Sequence, residues 1–371
     1  MNSNRKVACS PTRYSSSIRM IKQPAGPDSP VLSWAGSKPW WHPGTIARQH
    51  GCVGHRVVES QARDFLAGKY GAVEELRPLG GGAWSSAYSF SHAGHGLVLR
   101  FGPSKEWFEA DRAAAAFSSS ELPVPKVLEV GDAFDGAYAV SVRHYGTYLE
   151  DVRPDQSEMA GPMLVALLGA LFRVPKNPDL PVRWHGRPLR SGKSWRAWLC
   201  DRLADDPAHP VHGWRGALSA HNDLDRIFRA GEARVRDLVE ACPERRDLVH
   251  GDLLHANVLV TEDASRPNAV FSRKNSVRGD FLYDTAWCTF CTTWYPGIAA
   301  LDLWHLIHQE PSITDDADTL VDAPLRHHCY ELGIGLGALA WNAWIGDGRL
   351  VQQAAAHLTE VLERGPLPAR T

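Results

Sequence analysis

The spacing of apolar positions changes character partway along the chain, alternating at first and then turning helical. Val57, Ala62, Phe65 and Leu66 fall roughly on one side of a helix predicted from Val57 to Tyr70. Strand signals follow at Glu75 to Leu79, Ala87 to Phe90 and Leu97 to Phe101, with a turn at 92–96. Glu106 to Phe117 is alanine-rich and predicts a helix opening just after Ser104; Leu122-Pro-Val-Pro125 stops it. Val127 to Val130 and Tyr138 to Val142 read as two further strands. Residues 141–146 then read as a connection between lobes.

Past that connection the period is helical. Met163 to Phe172 is apolar all round and predicts a buried helix. Residues 174–225, rich in Pro, Trp and Arg, give no clear element. Arg226 to Cys242 predicts an amphipathic helix, and Val258 to Thr261 with Ala269 to Phe271 a small hairpin. Asp284 to Trp294, Leu301 to His308, Leu325 to Trp344 and Leu350 to Leu362 read as helices. The expectation is an α+β chain: an antiparallel-sheet N-lobe over 57–143 and a mainly helical C-lobe over 144–371. Residues 1–56 show no apolar period, and Met1 to Pro27 holds basic residues but no acidic one; a disordered extension is expected there.

Composition narrows the function without choosing it. A net charge of −2 gives no global pull toward nucleic acid or an anionic membrane surface. The longest apolar run, Met163 to Phe172, is too short to span a bilayer, and no secretory signal is read at the start. Seven cysteines, an odd number scattered over the chain, do not read as a disulfide framework, so a reduced cytoplasm is expected. Cys288 and Cys291 recur with Trp287, Phe290 and Trp294 at helical spacing, which reads as packing. His305, His308, His327 and His328 lack acidic or cysteine partners at metal-binding spacing.

The candidate chemistry centres on residues 247–261, where His250-Gly251-Asp252 is followed by Asn257 between two apolar, strand-like pieces. Phosphoryl transfer needs a carboxylate to accept the acceptor hydroxyl's proton and an amide oxygen to help hold the metal that neutralises the phosphates. An Asp-x-x-x-x-Asn loop lets Asp252 face the acceptor while Asn257 turns back to the metal. Gly80-Gly81-Gly82, with Ser85 close behind, lies between two strands, where backbone N–H groups can approach phosphate oxygens. Arg100, on the next strand, is placed to hold the α/β-phosphates, with Glu109 and Asp111 both candidates to pair with it.

These features resemble the aminoglycoside phosphotransferase family, and within it the hygromycin-B kinase branch. The likeness rests on Leu248-Val-His-Gly-Asp252-Leu-Leu-His-Ala-Asn257-Val-Leu-Val and on Arg278-Gly-Asp280-Phe-Leu-Tyr-Asp284-Thr-Ala-Trp287. Leu97-Val-Leu-Arg100, Leu122-Pro-Val-Pro125 and the glycine run agree in order, so the likeness spans about residues 60–365. It implies a protein-kinase-like bilobal fold with ATP and Mg2+ between the lobes, and transfer of the γ-phosphate to a hydroxyl of a cationic, aminoglycoside-like small molecule. Asp252 would be the catalytic base and Asn257 a magnesium ligand, with His250, Asp280 and Asp284 in support. Asp315, Asp316, Asp318 and Asp322 are candidates to line a polycation site.

One departure stands out. The family carries a metal-binding Asp followed by Trp at the end of the strand after the loop; here the triplet is Phe271-Ser272-Arg273. Ser272 offers a neutral hydroxyl where a carboxylate is the principal ligand, a loss worth several kcal/mol of transition-state stabilisation. The alternative expectation is therefore a catalytically inactive kinase fold that binds nucleotide or a partner.

Overall fold

Alternation along the third strand organises the N-lobe. In a computed structural model of the chain, β1 (Glu74–Gly80), β2 (Ser86–His92), β3 (His95–Gly102), β4 (Val127–Ala133) and β5 (Gly136–Val142) form one antiparallel sheet ordered β1-β2-β3-β5-β4. The structure describes residues 57–80, 84–176, 194–315 and 317–368, with two short pieces at 183–184 and 187–188. The expected tail at 1–56 lies outside the described residues, as do Gly81, Gly82 and Asp316. Every described residue falls in one compact unit, Pro39–Thr371.

Leu97, Leu99 and Phe101 of β3 point to one face, where α1 (Glu59–Tyr70) packs Ala62, Phe65 and Leu66 against them. The period of two sends Arg100 to the other face. There α2 (Lys105–Ala114) covers the sheet with Phe108, over Val127, Ala137 and Ala139. A short 3-10 turn, Ala115–Phe117, ends α2 before the Pro-rich link.

β5 ends at Val142, and β6 (Thr147–Tyr148) pairs with a strand of the later part of the chain, so Ser141 and Val142 of the expected 141–146 connection belong to β5 and 143–146 lies between the two strands. The C-lobe packs one large apolar cluster around α3 (Ser157–Arg173) and α8 (Ala323–Ile345). Residues 194–225, unassigned from sequence, hold α4 (Trp195–Asp201), α5 (Trp214–Ser219) and the start of α6 (Asn222–Leu238). Their tryptophans obscured the pattern because Trp195, Trp198 and Trp214 are all core residues on short helices. α7 (Leu282–Cys291) and α9 (Gly348–Arg364) complete the packing on α8. Cys288 and Cys291 are buried free thiols, as the helical spacing implied. No described helix is long and apolar enough to cross a membrane.

Two small ladders frame the candidate loop. β7 (Asp247–Val249) pairs antiparallel with β10 (Val277–Gly279), and β8 (Val258–Val260) pairs with both β9 (Pro267–Val270) and β6.

Candidate active site

The loop from His250 to Asn257 runs between β7 and β8, and its two leucines, Leu253 and Leu254, are fully buried. They anchor the middle of the loop in the C-lobe core. Left-handed backbone at Gly251, His255 and Ala256 (φ 74, 70 and 61) turns the chain back on itself. As a result Asn257 Nδ2 donates to the carbonyls of Asp252 (2.7 Å) and Leu254 (2.9 Å). With both amide protons used, the side chain has Oδ1 left to offer. The Asp252 carboxylate accepts from His255 Nδ1 at 2.6 Å and from Asn275 Nδ2 at 3.2 Å. Asp252 and Asn257 are thus joined within one loop, as their spacing implied.

Asp284, on the first turn of α7, accepts the backbone N–H groups of His250 (2.7 Å) and Gly251 (2.8 Å). Burial raises its pKa to about 6, against those two bonds and the nearby Arg273. His250 Nε2 donates to the Phe271 carbonyl at 3.0 Å, and Nδ1 accepts the Asp252 N–H at 3.2 Å. Burial, together with Arg273, holds this imidazole well below its ordinary pKa although the Phe271 bond opposes them, so the ring is neutral. Asp280 does different work. It receives Arg326 through Nε and Nη2 (2.8 and 2.7 Å), the Tyr330 hydroxyl (2.6 Å) and the Leu282 N–H (3.2 Å). It opens α7 and ties it to α8, and is committed to that core.

On the N-lobe side, Gly80 ends β1 opposite Ala87, and Ser85 is half-buried just before β2. Arg100 Nη1 meets Asp111 Oδ2 at 2.7 Å, with the guanidinium 5.2 Å from the Phe108 ring centroid. Of the two acids left open by the sequence, Asp111 is the partner. Glu109 pairs instead with Arg112 on the exposed side of α2. Trp84, two residues after the glycine run, packs against Trp107 of α2 and against Trp341 and Trp344 of α8, spanning the two lobes.

The segment at 272–275 links these halves. Ser272 is left-handed (φ 70), and Arg273–Asn275 makes a 3-10 turn. The Arg273 N–H donates to Asp111 Oδ1 at 2.7 Å, and Asn275 reaches Asp252. Arg273 is 4% exposed, with Nε and Nη1 buried and without hydrogen-bond partners among the described residues. Burial pulls its pKa down to about 10 despite Asp111 and Asp284. Lys274 Nζ lies 6.0 Å from the Trp107 ring centroid. Burial lowers its pKa, while the carboxylates of Asp252 and Asp111 act against the shift.

Sequence reasoning missed four residues here: Glu150, His255, Lys274 and Asn275. Glu150 accepts the Ala256 N–H, and burial pushes its pKa up to about 7 despite that bond. Its contact with the loop bridges 106 positions, so no local spacing signalled it. His255 lay inside the motif and could have been found there, three residues after the carboxylate it holds. The exposed Asp315, Asp318 and Asp322 sit around the start of α8.

A strand lobe with a paired cation, set on a helical lobe with an aspartate–asparagine loop, is the architecture of the kinase-like phosphotransferases. Residues 75–314 match the sequence profile of APH, described as a phosphotransferase enzyme family, and the chain belongs to that family. Hygromycin-B 4-O-kinase of Escherichia coli is 30% identical over 254 residues, covering 66% of this chain and 70% of that protein. The fold is similar to a thermostable mutant of aminoglycoside phosphotransferase APH(4)-Ia in ternary complex with AMP-PNP and hygromycin B. That match has a TM-score of 0.68 and 25% identity, covering 81% of this chain and 97% of the other. The GDP and kanamycin complex of APH(2")-IIIa matches at a TM-score of 0.56 and 13% identity, over 82% and 98% of the two chains, a likeness of fold.

Proposed function

We propose that this chain is an ATP-dependent phosphotransferase that moves the γ-phosphate to a hydroxyl of a cationic, aminoglycoside-like small molecule. The observation that carries the reading is the Asp252 carboxylate, held by His255 and Asn275 on a loop that Asn257 closes. A fixed carboxylate with a hydrogen bond to each oxygen is oriented to accept a hydroxyl proton as the hydroxyl attacks phosphorus. Arg100, steadied by Asp111, supplies positive charge for the donor's phosphates. The Gly80–Gly82 run and Ser85 would cover those phosphates from the N-lobe. Asp284 and His250 fix the loop's backbone and leave Asp252 as its reactive carboxylate. The name of the relative, a kinase of hygromycin B, supports the acceptor class, and an enzyme that consumes ATP would work in the cytoplasm, where ATP is held.

Magnesium fits this set of residues poorly. The candidate donors are the Asn257 amide oxygen and the Ser272 hydroxyl, both neutral, whereas magnesium is usually anchored by carboxylates. Among the described residues no group of three or more His, Cys, Asp or Glu is placed to hold a metal ion. Asp280, the next acid along, is bound to Arg326 and Tyr330. The same substitution favours a second reading, a kinase fold that binds nucleotide without turnover.

The two readings separate in one experiment. Purified chain is incubated with ATP and hygromycin B, or a panel of other aminoglycosides, with and without magnesium, and products are followed by mass spectrometry. A phosphorylated acceptor that disappears in Asp252→Asn supports the transferase. ATP binding with no phosphorylated product across the panel supports the binding protein instead.

A further inference from the structure

The turn Arg273–Asn275 lies between two carboxylates. Its first residue donates a backbone N–H to Asp111 (2.7 Å), and its last donates a side-chain amide to Asp252 (3.2 Å). Lys274 is the residue between them, half-buried, with its ammonium beside Trp107. Ser272, next to this turn, contributes no charge. Arg100 is already paired with Asp111, and Arg273 is buried with two guanidinium nitrogens that have no hydrogen-bond partner among the described residues. What the chain offers a polyphosphate at this point is the Lys274 ammonium beside Trp107, and no group of three acids placed to hold a metal ion among the described residues. A lysine ammonium binds phosphate as a point charge, and it repels a divalent cation brought to the same place.

We propose that Lys274 takes the place of the divalent cation, so that the chain binds the phosphates of a nucleoside triphosphate without metal. The idea rests on the reading of the cleft as a nucleotide site and adds the identity of the neutralising charge. Arg100 then holds the phosphates from the sheet side and Lys274 from the loop side, next to Asp252. Phosphoryl transfer gains from any fixed positive charge near the oxygens where charge develops.

The test is calorimetric titration of ATP into the full chain, once in excess EDTA and once in magnesium. Wild type is expected to bind with affinities within about threefold of each other in the two buffers. Lys274→Met is expected to weaken binding in EDTA by at least about tenfold, a loss typical of a charge-assisted contact. Lys274→Arg should recover most of it, which separates lost charge from lost packing. Wild type that binds ATP only with magnesium overturns the proposal and leaves the nucleotide site standing. Lys274→Met with unchanged affinity in EDTA also overturns it. No ATP binding in either buffer removes the nucleotide site itself.

Discussion

Asp111 accepts the backbone N–H of Arg273 at 2.7 Å across 162 positions of sequence, and its other oxygen holds Arg100. One carboxylate thereby joins β3, α2 and the segment after the β8–β9 hairpin. Asp111→Ala leaves a mostly buried guanidinium unpaired and a backbone donor unsatisfied, a loss of about 2–4 kcal/mol. Thermal melts should fall by several degrees. Glu109→Ala, which breaks only an exposed pair with Arg112, should cost less than about 0.5 kcal/mol and barely move the melt. Equal shifts in the two variants would remove the special role given to Asp111.

That contrast also marks the limit of what the sequence told. Helical spacing put both acids on α2, but which of them faces β3 depends on how the helix is rolled on the sheet. Phe108 fixes that roll by packing on Val127, Ala137 and Ala139. The strands, the buried helix at 157–173 and the Asp252–Asn257 loop were legible because each rests on a local period or a short motif. Glu150 and the placement of Lys274 were not, since both depend on contacts between segments far apart in the chain. Residues 194–225 failed for another reason: α4 and α5 are seven and six residues long, too short for a period to build up.

Arg326 is 1% exposed and Asp280 fully buried, with two hydrogen bonds between them. Removing one partner of such a pair strands a charge in the core, at about 3–5 kcal/mol. Arg326→Met should therefore lower the urea midpoint strongly. Asp280→Asn strands the buried guanidinium instead and turns an amide NH2 toward donors, so it is also expected to lower the midpoint strongly. A midpoint for Arg326→Met within experimental error of wild type would contradict the assignment of this pair as a structural tie between α7 and α8.

Gly251 sits at φ 74, and a Cβ built there would lie 2.7 Å from the Asn275 carbonyl oxygen. Gly251→Ala adds the cost of left-handed backbone, about 1 kcal/mol, to a backbone clash. It should push the Asn275 segment away from the loop and so loosen the hydrogen bond that Asn275 gives Asp252. The expected result is a fall in turnover or nucleotide affinity larger than the fall in melting temperature alone would explain. A variant that melts several degrees lower yet keeps full activity would show that the Asn275 contact is dispensable.

Glu150 gives a pH signature with a fixed sign. Its folded pKa, about 7, stands above the ordinary glutamate value of 4.5 because burial penalises the charged form. Its contribution to stability is complete below pH 4.5 and is lost as pH rises through 7. Gln keeps an acceptor for the Ala256 N–H and never ionises. Relative to wild type, Glu150→Gln should therefore gain in melting temperature between pH 4.5 and 7 and hold that gain above 7. A difference that stays flat across this range would show that Glu150 ionises as freely as an exposed carboxylate.

Ser272 occupies left-handed backbone, a conformation that Asp tolerates better than most residues, so Ser272→Asp should fold without added strain. Combined with Lys274→Gln, it adds a carboxylate next to Phe271, whose N–H bonds the Asn257 carbonyl, and removes the ammonium that repels a divalent ion. The donor set then becomes one that magnesium accepts: a carboxylate and an amide oxygen, completed by phosphates. ATP binding by the double variant should become magnesium-dependent, with thermal stabilisation by ATP appearing in magnesium and vanishing in EDTA. A hundredfold excess of ligand over its dissociation constant gives about 2.7 kcal/mol of stabilisation, large enough to read as a melting shift. If the double variant binds ATP equally well in both buffers, the charge at 274 and the missing carboxylate at 272 do not govern how this site meets a metal.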